Sequence, residues 1–459
     1  SLCSSFIAKL KEPSLIPFYK PMDYVEALAQ IYAAIDGASN DEKSSLYLEQ
    51  SFIFRGLDEM KLTRRSIQAA RQYSTSIHEK IVYTAWLKYE KRDEEMSISP
   101  IPTCNGNVLE CPQAALILEP SPSIICDPCP CKTFSAEKKT DPHWGANYFM
   151  EDDVVFQIGD RKVACNRKSL AALSAPFQAM LFGCFAESRI IEIDFSNNGI
   201  SASGMVAIGD FSKTGVLGPK PLAILLELLT FSNRFCCDSL KLACEKSLLL
   251  LVSSLQDAVM LMEFALEERA PLLMSTCIQI VLWELPHSLH NEYIVNLFGS
   301  SEGRKKLTVV GHSSYALYAL LSHVMMDEKL TGDLPVSLLE GLKENAVTQW
   351  QRALAFHQMG CVMFAKSQYR QSQRYFELAV EQGHVYSWAG VARTKYKRGH
   401  CVSAYKDISS LLSSLKPAGW MFQERALYSE GEEKMADFNS ATELDPTLVF
   451  PYKYRTAAL

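Results

Sequence analysis

The chain has 459 residues, 48% hydrophobic and 21% charged, the make-up of a folded protein of two to four domains rather than a disordered one. A net charge of −6 provides no global basic field for nucleic acid. The longest apolar runs, Leu248 to Val252 and Leu222 to Leu229 around Glu227, fall far short of the ~20 residues of a membrane span, so neither nucleic acid nor a membrane is expected as partner.

The 14 cysteines are scattered, several at helical positions such as Cys244, Cys277 and Cys361. Without a visible secretory signal they read as reduced core thiols of a cytoplasmic or nuclear protein. The chain opens Ser1-Leu2-Cys3 and ends inside a helical pattern, which reads as an excised piece.

Residues 1–96 form a helical head. Tyr24, Leu28, Ile31 and Ile35 fall at helical spacing, as do Ile81, Ala85 and Tyr89, and Asp36-Gly37 breaks the first helix. Residues 97–147 are a Pro- and Cys-rich linker, with eight of the 20 prolines between 97 and 143. Cys126 and Cys129, with Cys131 beside them, have a C-x-x-C spacing that could start a zinc site. Four ligands are required, and only Cys104, Cys111 and His143 are near, so a flexible loop without metal or cofactor is the expectation.

At Asp153 the period changes to two. Val154 to Ile158 reads as a strand, Gly159-Asp160 as a turn, Lys162 to Cys165 as the partner strand, and Arg189 to Phe195 as a third. Helices are predicted over Ser169–Leu173, Pro176–Phe182, 202–212 and 222–250, and two more over 254–285, broken near Ala270-Pro271. Gly311-His312-Ser313-Ser314 reads as a lone exposed loop or helix start.

Residues 351–459 repeat with a period of about 32. The first unit carries Met359-Gly360, Phe376 and Ala379; the second Trp388, Val391-Ala392, Gly399, Ala404, Ile408 and Leu411; the third Trp420, Gly431, Phe438, Ala441 and Asp445-Pro446. A fourth opens at Tyr452. Alternating large and small residues resemble the tetratricopeptide pattern of paired helices, although Ser372 replaces the usual Ala and His384 the usual Pro.

Pro176-Phe177-Gln178-Ala179-Met180-Leu181, closed by Phe185-Ala186-Glu187-Ser188, resembles the helical core of a BTB domain. So do Phe211-Ser212-Lys213-Thr214-Gly215 and the stretch from Leu225 to Cys244-Glu245. With Tyr47-Leu48-Glu49-Gln50, Cys104-Asn105-Gly106, Glu110-Cys111-Pro112 and Asn233-Arg234-Phe235-Cys236-Cys237-Asp238, the whole chain resembles the plant ethylene-overproducer family. The fold expectation is mostly α with a small α/β BTB domain. It divides into a head (1–96), a linker (97–147), a BTB domain (148–252), BACK-like helices (253–345) and about three tetratricopeptide repeats (346–459).

The resemblance implies a substrate adaptor of a cullin-3 ubiquitin ligase, with the C-terminal region of ACC synthase as client and ethylene synthesis restrained. It implies homodimers, or heterodimers with related BTB proteins. Phe185 and Glu187 match the motif that seats a cullin. Lys213 stands where a cullin-proximal Tyr is common, and Asn166 where most relatives have His. An exposed aromatic beside a carboxylate suits a basic partner; alternatively Phe185 caps the core and Glu187 is a solvated charge.

For the client, Arg393 and Arg425, with Tyr396, Tyr428 and Phe364, would form a row of guanidinium and aromatic groups suited to an extended acidic peptide. Residues 351–459 hold 14 Lys and Arg against 10 Asp and Glu, in keeping with this. Alternatively the tyrosines pack between repeats and the arginines are solvated. A chaperone-tail clamp needs Lys and Asn where this chain has His357 and Cys361, so that variant is not expected. Three repeats and a stub are near the minimum for a stable array, so weak client binding is expected of this piece.

No H-E-x-x-H, G-x-S-x-G or phosphate-cradling loop is present, so a non-catalytic adaptor is the reading. The alternatives are a BTB-mediated oligomeric scaffold in signalling or transcription, and a metal or thiol enzyme built on the Cys-rich linker.

Overall fold

The structure, a computed structural model, describes residues 11–15, 24–95 and 153–458. The stretch carrying Cys126, Cys129 and Cys131 lies outside them. Among the described residues no His, Cys, Asp and Glu cluster could hold a metal ion, and no helix is long and apolar enough to cross a membrane. The chain divides into two compact units: one from 101–281, the other from 1–100 together with 282–459.

The head supplies α1 (Tyr24–Ile35), α2 (Asn40–Gly56), α3 (Met60–Tyr73) and α4 (Ile77–Glu95). Ser39 opens α2 through a capping box with Glu42, a reciprocal use of two otherwise unpaired amides. Ile53, Ile67, Tyr83 and Trp86 form the buried faces.

The unit from 101–281 opens with β1 (Asp153–Ile158) and β2 (Arg161–Asn166), an antiparallel hairpin turning at Gly159, whose φ is +58°. Val154 and Phe156 point inward, as the two-residue alternation requires. Asn166, the departure from the BTB pattern, caps α5 (Arg167–Ala171): its Oδ1 accepts from the Ser169 amide at 2.9 Å. Ser174 caps α6 (Ala175–Phe182), with Pro176 in the first turn.

The third strand is shorter than the alternation predicts. Only Glu192–Asp194 forms β3, parallel to β1 in a sheet of order β2-β1-β3, because Ala186–Arg189 winds into a 3-10 turn. Next come α7 (Ala202–Thr214), α8 (Leu222–Arg234), α9 (Asp238–Leu249), α10 (Leu255–Glu267) and α11 (Pro271–Trp283). The stretch 222–250, read as helical throughout, is interrupted at Cys236, which takes a φ of +52°. Phe156, Phe177, Phe195, Phe231 and Phe235 pack ring on ring, the closest pair, Phe231 and Phe235, stacked at 4.3 Å. The line between the units falls at residues 281 and 282, within α11.

The other unit continues through α12 (Glu292–Gly299), α13 (Ser301–Val309), α14 (Tyr315–Asp327) and α15 (Leu334–Glu344). Helix pairs follow: α16 (Gln349–Ala365) with α17 (Tyr369–Glu381), α18 (Ser387–Lys397) with α19 (Cys401–Ser414), and α20 (Gly419–Ala426) with α21 (Gly431–Leu444). α22 (Val449–Ala458) closes the series. Phe376, Ile408 and Phe438 are the large fully buried residues at the matching place on the outer helices, spaced 32 residues and then 30. A Cβ at Gly360 would lie 2.7 Å from the Phe376 ring and one at Gly390 2.5 Å, so both inner helices need a bare backbone there. Ser372 is fully buried and donates to the Gly360 carbonyl at 2.8 Å, which satisfies its hydroxyl where an Ala would have none.

The head belongs to this second unit by direct contact. Arg55 of α2 reaches Glu90 of α4 at 2.5 Å and Asp327 of α14 at 2.9 Å; His323 of α14 lies 3.1 Å from Glu90. His312, read as part of an exposed loop or helix start, is buried against His78, ring centres 3.5 Å apart. The helix start is at Ser314, which caps α14.

Candidate functional site

Phe185 sits at the start of the 3-10 turn after α6 and is 59% exposed, too open to be a cap on the core. Its position is fixed through the main chain. The Arg167 guanidinium donates to the carbonyls of Leu181 (3.1 Å), Ser188 (3.1 Å) and Ile190 (2.5 Å), tying both ends of the loop to the start of α5. The Ser188 hydroxyl donates to the Phe185 carbonyl at 2.7 Å. Gly183 lets the chain leave α6, since a Cβ there would meet the Ala179 carbonyl oxygen at 2.2 Å. Glu187 is half-buried on the same turn. Lys213 is exposed in the last turn of α7, its charge acting on the buried Cys165 thiol, which burial pushes up to about 11. Sequence reasoning had no sign of Arg167, whose partners are all backbone.

In the repeats the expected row of available guanidinium groups is not present, and that reading is corrected. Arg393 is buried and forked onto Glu424, itself fully buried, with Nε to Oε2 at 2.9 Å and Nη2 to Oε1 closer still. Burial works against the Arg393 charge, but Glu424 more than offsets it and holds the guanidinium above its ordinary range. Nor is Arg425 its counterpart. It pairs with Asp437, Nε at 3.0 Å and Nη2 at 2.6 Å, as Lys395 pairs with Asp407 at 2.6 Å. Each of these pairs links the two helices of one repeat.

Tyr396 and Tyr428 are half-buried and pack between repeats, ring centres 5.3 Å apart, the alternative weighed for them. Phe364 packs on the same apolar cluster and against Tyr369 at 5.4 Å. The two guanidinium groups expected to meet an acidic ligand are paired instead with internal carboxylates, Glu424 and Asp437.

What occupies the inner helices is a piece of the chain itself. His357 of α16 donates from Nε2 to the Leu15 carbonyl at 2.7 Å, and the Cys361 thiol reaches the same oxygen at 3.4 Å. Tyr386 donates to the Ser14 carbonyl at 3.0 Å, Arg393 Nη1 to the Pro13 carbonyl, and Lys397 meets the Glu12 carboxylate at 3.0 Å. Leu15 is buried in a cluster that includes Cys361, Phe376, Tyr386 and Trp420.

A carbonyl only accepts, so the proton of a neutral His357 ring is on Nε2 and Nδ1 accepts from the Ser387 hydroxyl at 2.9 Å. His384 Nδ1 in turn donates to that hydroxyl at 2.7 Å. Burial pushes the Cys361 thiol up to about 12, so it remains a donor. The two residues read as a failed clamp are therefore the pair that holds a main-chain oxygen.

One unit carries a small sheet with a presented aromatic turn and the other carries paired-helix repeats gripping residues 11–15, both architectures of docking modules. A BTB/POZ domain model matches residues 147–250. Models described as ETO1 N-terminal domain and ETO1 C-terminal domain match residues 25–111 and 303–459. The chain belongs to the ethylene-overproducer family. It is 46% identical over 458 residues to Ethylene-overproduction protein 1 of Arabidopsis thaliana, a match covering 100% of this chain and 48% of that protein. ETO1-like protein 1 of the same plant is 43% identical over 455 residues, covering 99% of this chain and 50% of its own length. For ETO1-like protein 2 the figures are 43% over 456 residues, 97% and 49%. The chain spans about half the length of these relatives.

Proposed function

We propose that this chain acts as a substrate adaptor of a cullin-3 ubiquitin ligase that restrains ethylene synthesis. The BTB domain (148–252) seats the cullin through Phe185 and Glu187, with Lys213 at the margin, and pairs with a second BTB chain. The BACK-like helices (253–345) connect it to the repeats (346–459), which hold the C-terminal region of ACC synthase. The protein works in the cytoplasm and needs no cofactor. Bringing a ubiquitin-charged enzyme and a client lysine into one particle supplies the rate gain as effective concentration, so the chain itself performs no bond chemistry.

The observation that supports this reading best is Phe185: a large aromatic left 59% exposed on a loop whose backbone Arg167 pins at three carbonyls. A surface aromatic on a rigid mount is the anchor an interface needs. The test is capture of cullin-3 by the whole chain. Wild type is expected to retain the cullin, and Phe185→Ala to lose at least about tenfold in affinity with its melting temperature unchanged. Wild type failing to hold cullin-3 would remove the ligase reading.

A further inference from the structure

The segment Lys11 to Leu15 is held in a way that defines a ligand. Three successive carbonyls, of Pro13, Ser14 and Leu15, are each met by a buried donor: Arg393, Tyr386 and His357 with Cys361. Such a ladder reads main chain and ignores side chains. Register comes from the two ends, where Glu12 meets Lys397 at 3.0 Å and Leu15 enters the apolar cluster. The donors are prepared for this. Glu424 fixes the Arg393 fork and leaves Nη1 aimed outward, and Ser387 fixes the His357 tautomer. Those at the Leu15 end, an imidazole N–H and a thiol, suit a carbonyl inside a chain better than a terminal carboxylate.

We propose that the inner face of the repeats is a peptide channel whose resting occupant is the chain's own residues 11–15. Its ligand from another chain is a segment with a carboxylate side chain three residues ahead of a leucine. The proposal rests on the reading of the repeats as client-holding and is independent of the cullin. A tethered occupant competes at an effective concentration on the order of millimolar. The affinity of an incoming peptide is lowered by the fraction of time the channel is open. Resting chains thus bind clients weakly, and whatever draws residues 11–15 away raises affinity.

The test uses the whole chain and a fluorescein-labelled peptide with the sequence of residues 8–18, followed by anisotropy. Glu12→Lys with Leu15→Asp in the chain breaks the tethered contact and leaves every channel residue in place. This variant is expected to bind the peptide at least about tenfold tighter than wild type. In a chain released by Leu15→Asp alone, Lys397→Glu should weaken the wild-type peptide and restore binding of a peptide carrying Glu12→Lys. Equal affinity of wild type and the released variant, or no binding to a released variant whose melting is normal, overturns the proposal. Should the double variant melt early, Leu15→Ala replaces it: tighter binding than wild type supports the channel and equal affinity overturns it. Cullin-3 capture by the same samples separates the two claims, since capture without peptide binding sinks the channel alone.

Discussion

The two docking surfaces are prepared in opposite ways. At Phe185 the backbone is committed and the side chain is left open: Arg167 binds three carbonyls and the ring faces solvent. In the repeats the side chains are committed, with Arg393 tied to Glu424 and His357 to Ser387, and what they hold is backbone. In the proposed reading the first arrangement recognises a partner by shape and by one aromatic contact. The second, in the proposed reading, recognises main chain with donors that cannot be left unpaired once buried. A surface of the first kind can stand empty at little cost, whereas one of the second kind favours always having an occupant.

The sharpest way to break this contrast is Glu424→Ala, which leaves the Arg393 charge buried alone. A loss of about 3–5 kcal/mol in urea unfolding is expected, and less than about 1 kcal/mol would show the pair to be solvated. Arg393→Met with Glu424→Leu should recover most of that stability while abolishing the hold on Pro13, so stability and peptide grip would separate. Arg167→Met comes next. Three carbonyls lose a charged donor, so about 2 kcal/mol is expected, with weaker cullin capture although Phe185 is untouched. Capture unchanged would mean that the loop is held by other contacts.

Acid should divide the two units by a smaller margin. Burial, with His78 alongside, pulls His312 from 6.5 to about 3. The unfolded chain takes up that proton below about 6.5 and the folded one does not until about 3. Stability is therefore full above 6.5 and declines as pH drops through that window. Burial would raise Glu90, but His323 and Arg55 overcome it and hold the carboxyl below 4.5, adding a loss at the acid end. In the BTB unit the sign reverses at Glu245, which burial raises above 4.5 despite the Leu272 and Leu273 amides, so acidification relieves a charge there. Hydrogen exchange at pH 7 and pH 5 should show amides of the repeat unit losing protection first. Equal loss in both units would contradict this, and His312→Leu should flatten the difference.

Much of this was legible in the chain. The alternation of Val154 and Phe156, Pro176 in a first turn, and Phe376 and Phe438 at repeat spacing all report local periodicity, and each stands where the sequence puts it. What failed was long-range pairing. Arg393 and Glu424 are 31 residues apart on successive inner helices, and a charge count cannot tell a paired guanidinium from an open one. Arg425, although 32 residues after Arg393, pairs within its own repeat with Asp437, as Lys395 does with Asp407. The segment 11–15 has no period at all, so nothing in five residues announces that Leu15 is core. His357 and Cys361 were judged against a charged clamp and dismissed, although a neutral donor pair was the signal.

Phe376 is wedged between the bare backbones of Gly360 and Gly390, and so serves as the spacer that sets the bore between α16 and α18. A slimmer side chain would let the walls close on residues 11–15, and a methyl on either glycine would force them apart. The gauge of the passage is thus encoded in one ring, which shares the apolar cluster that Leu15 enters, and two missing side chains. A change in which threads are admitted can therefore arise behind the wall, with every gripping group preserved.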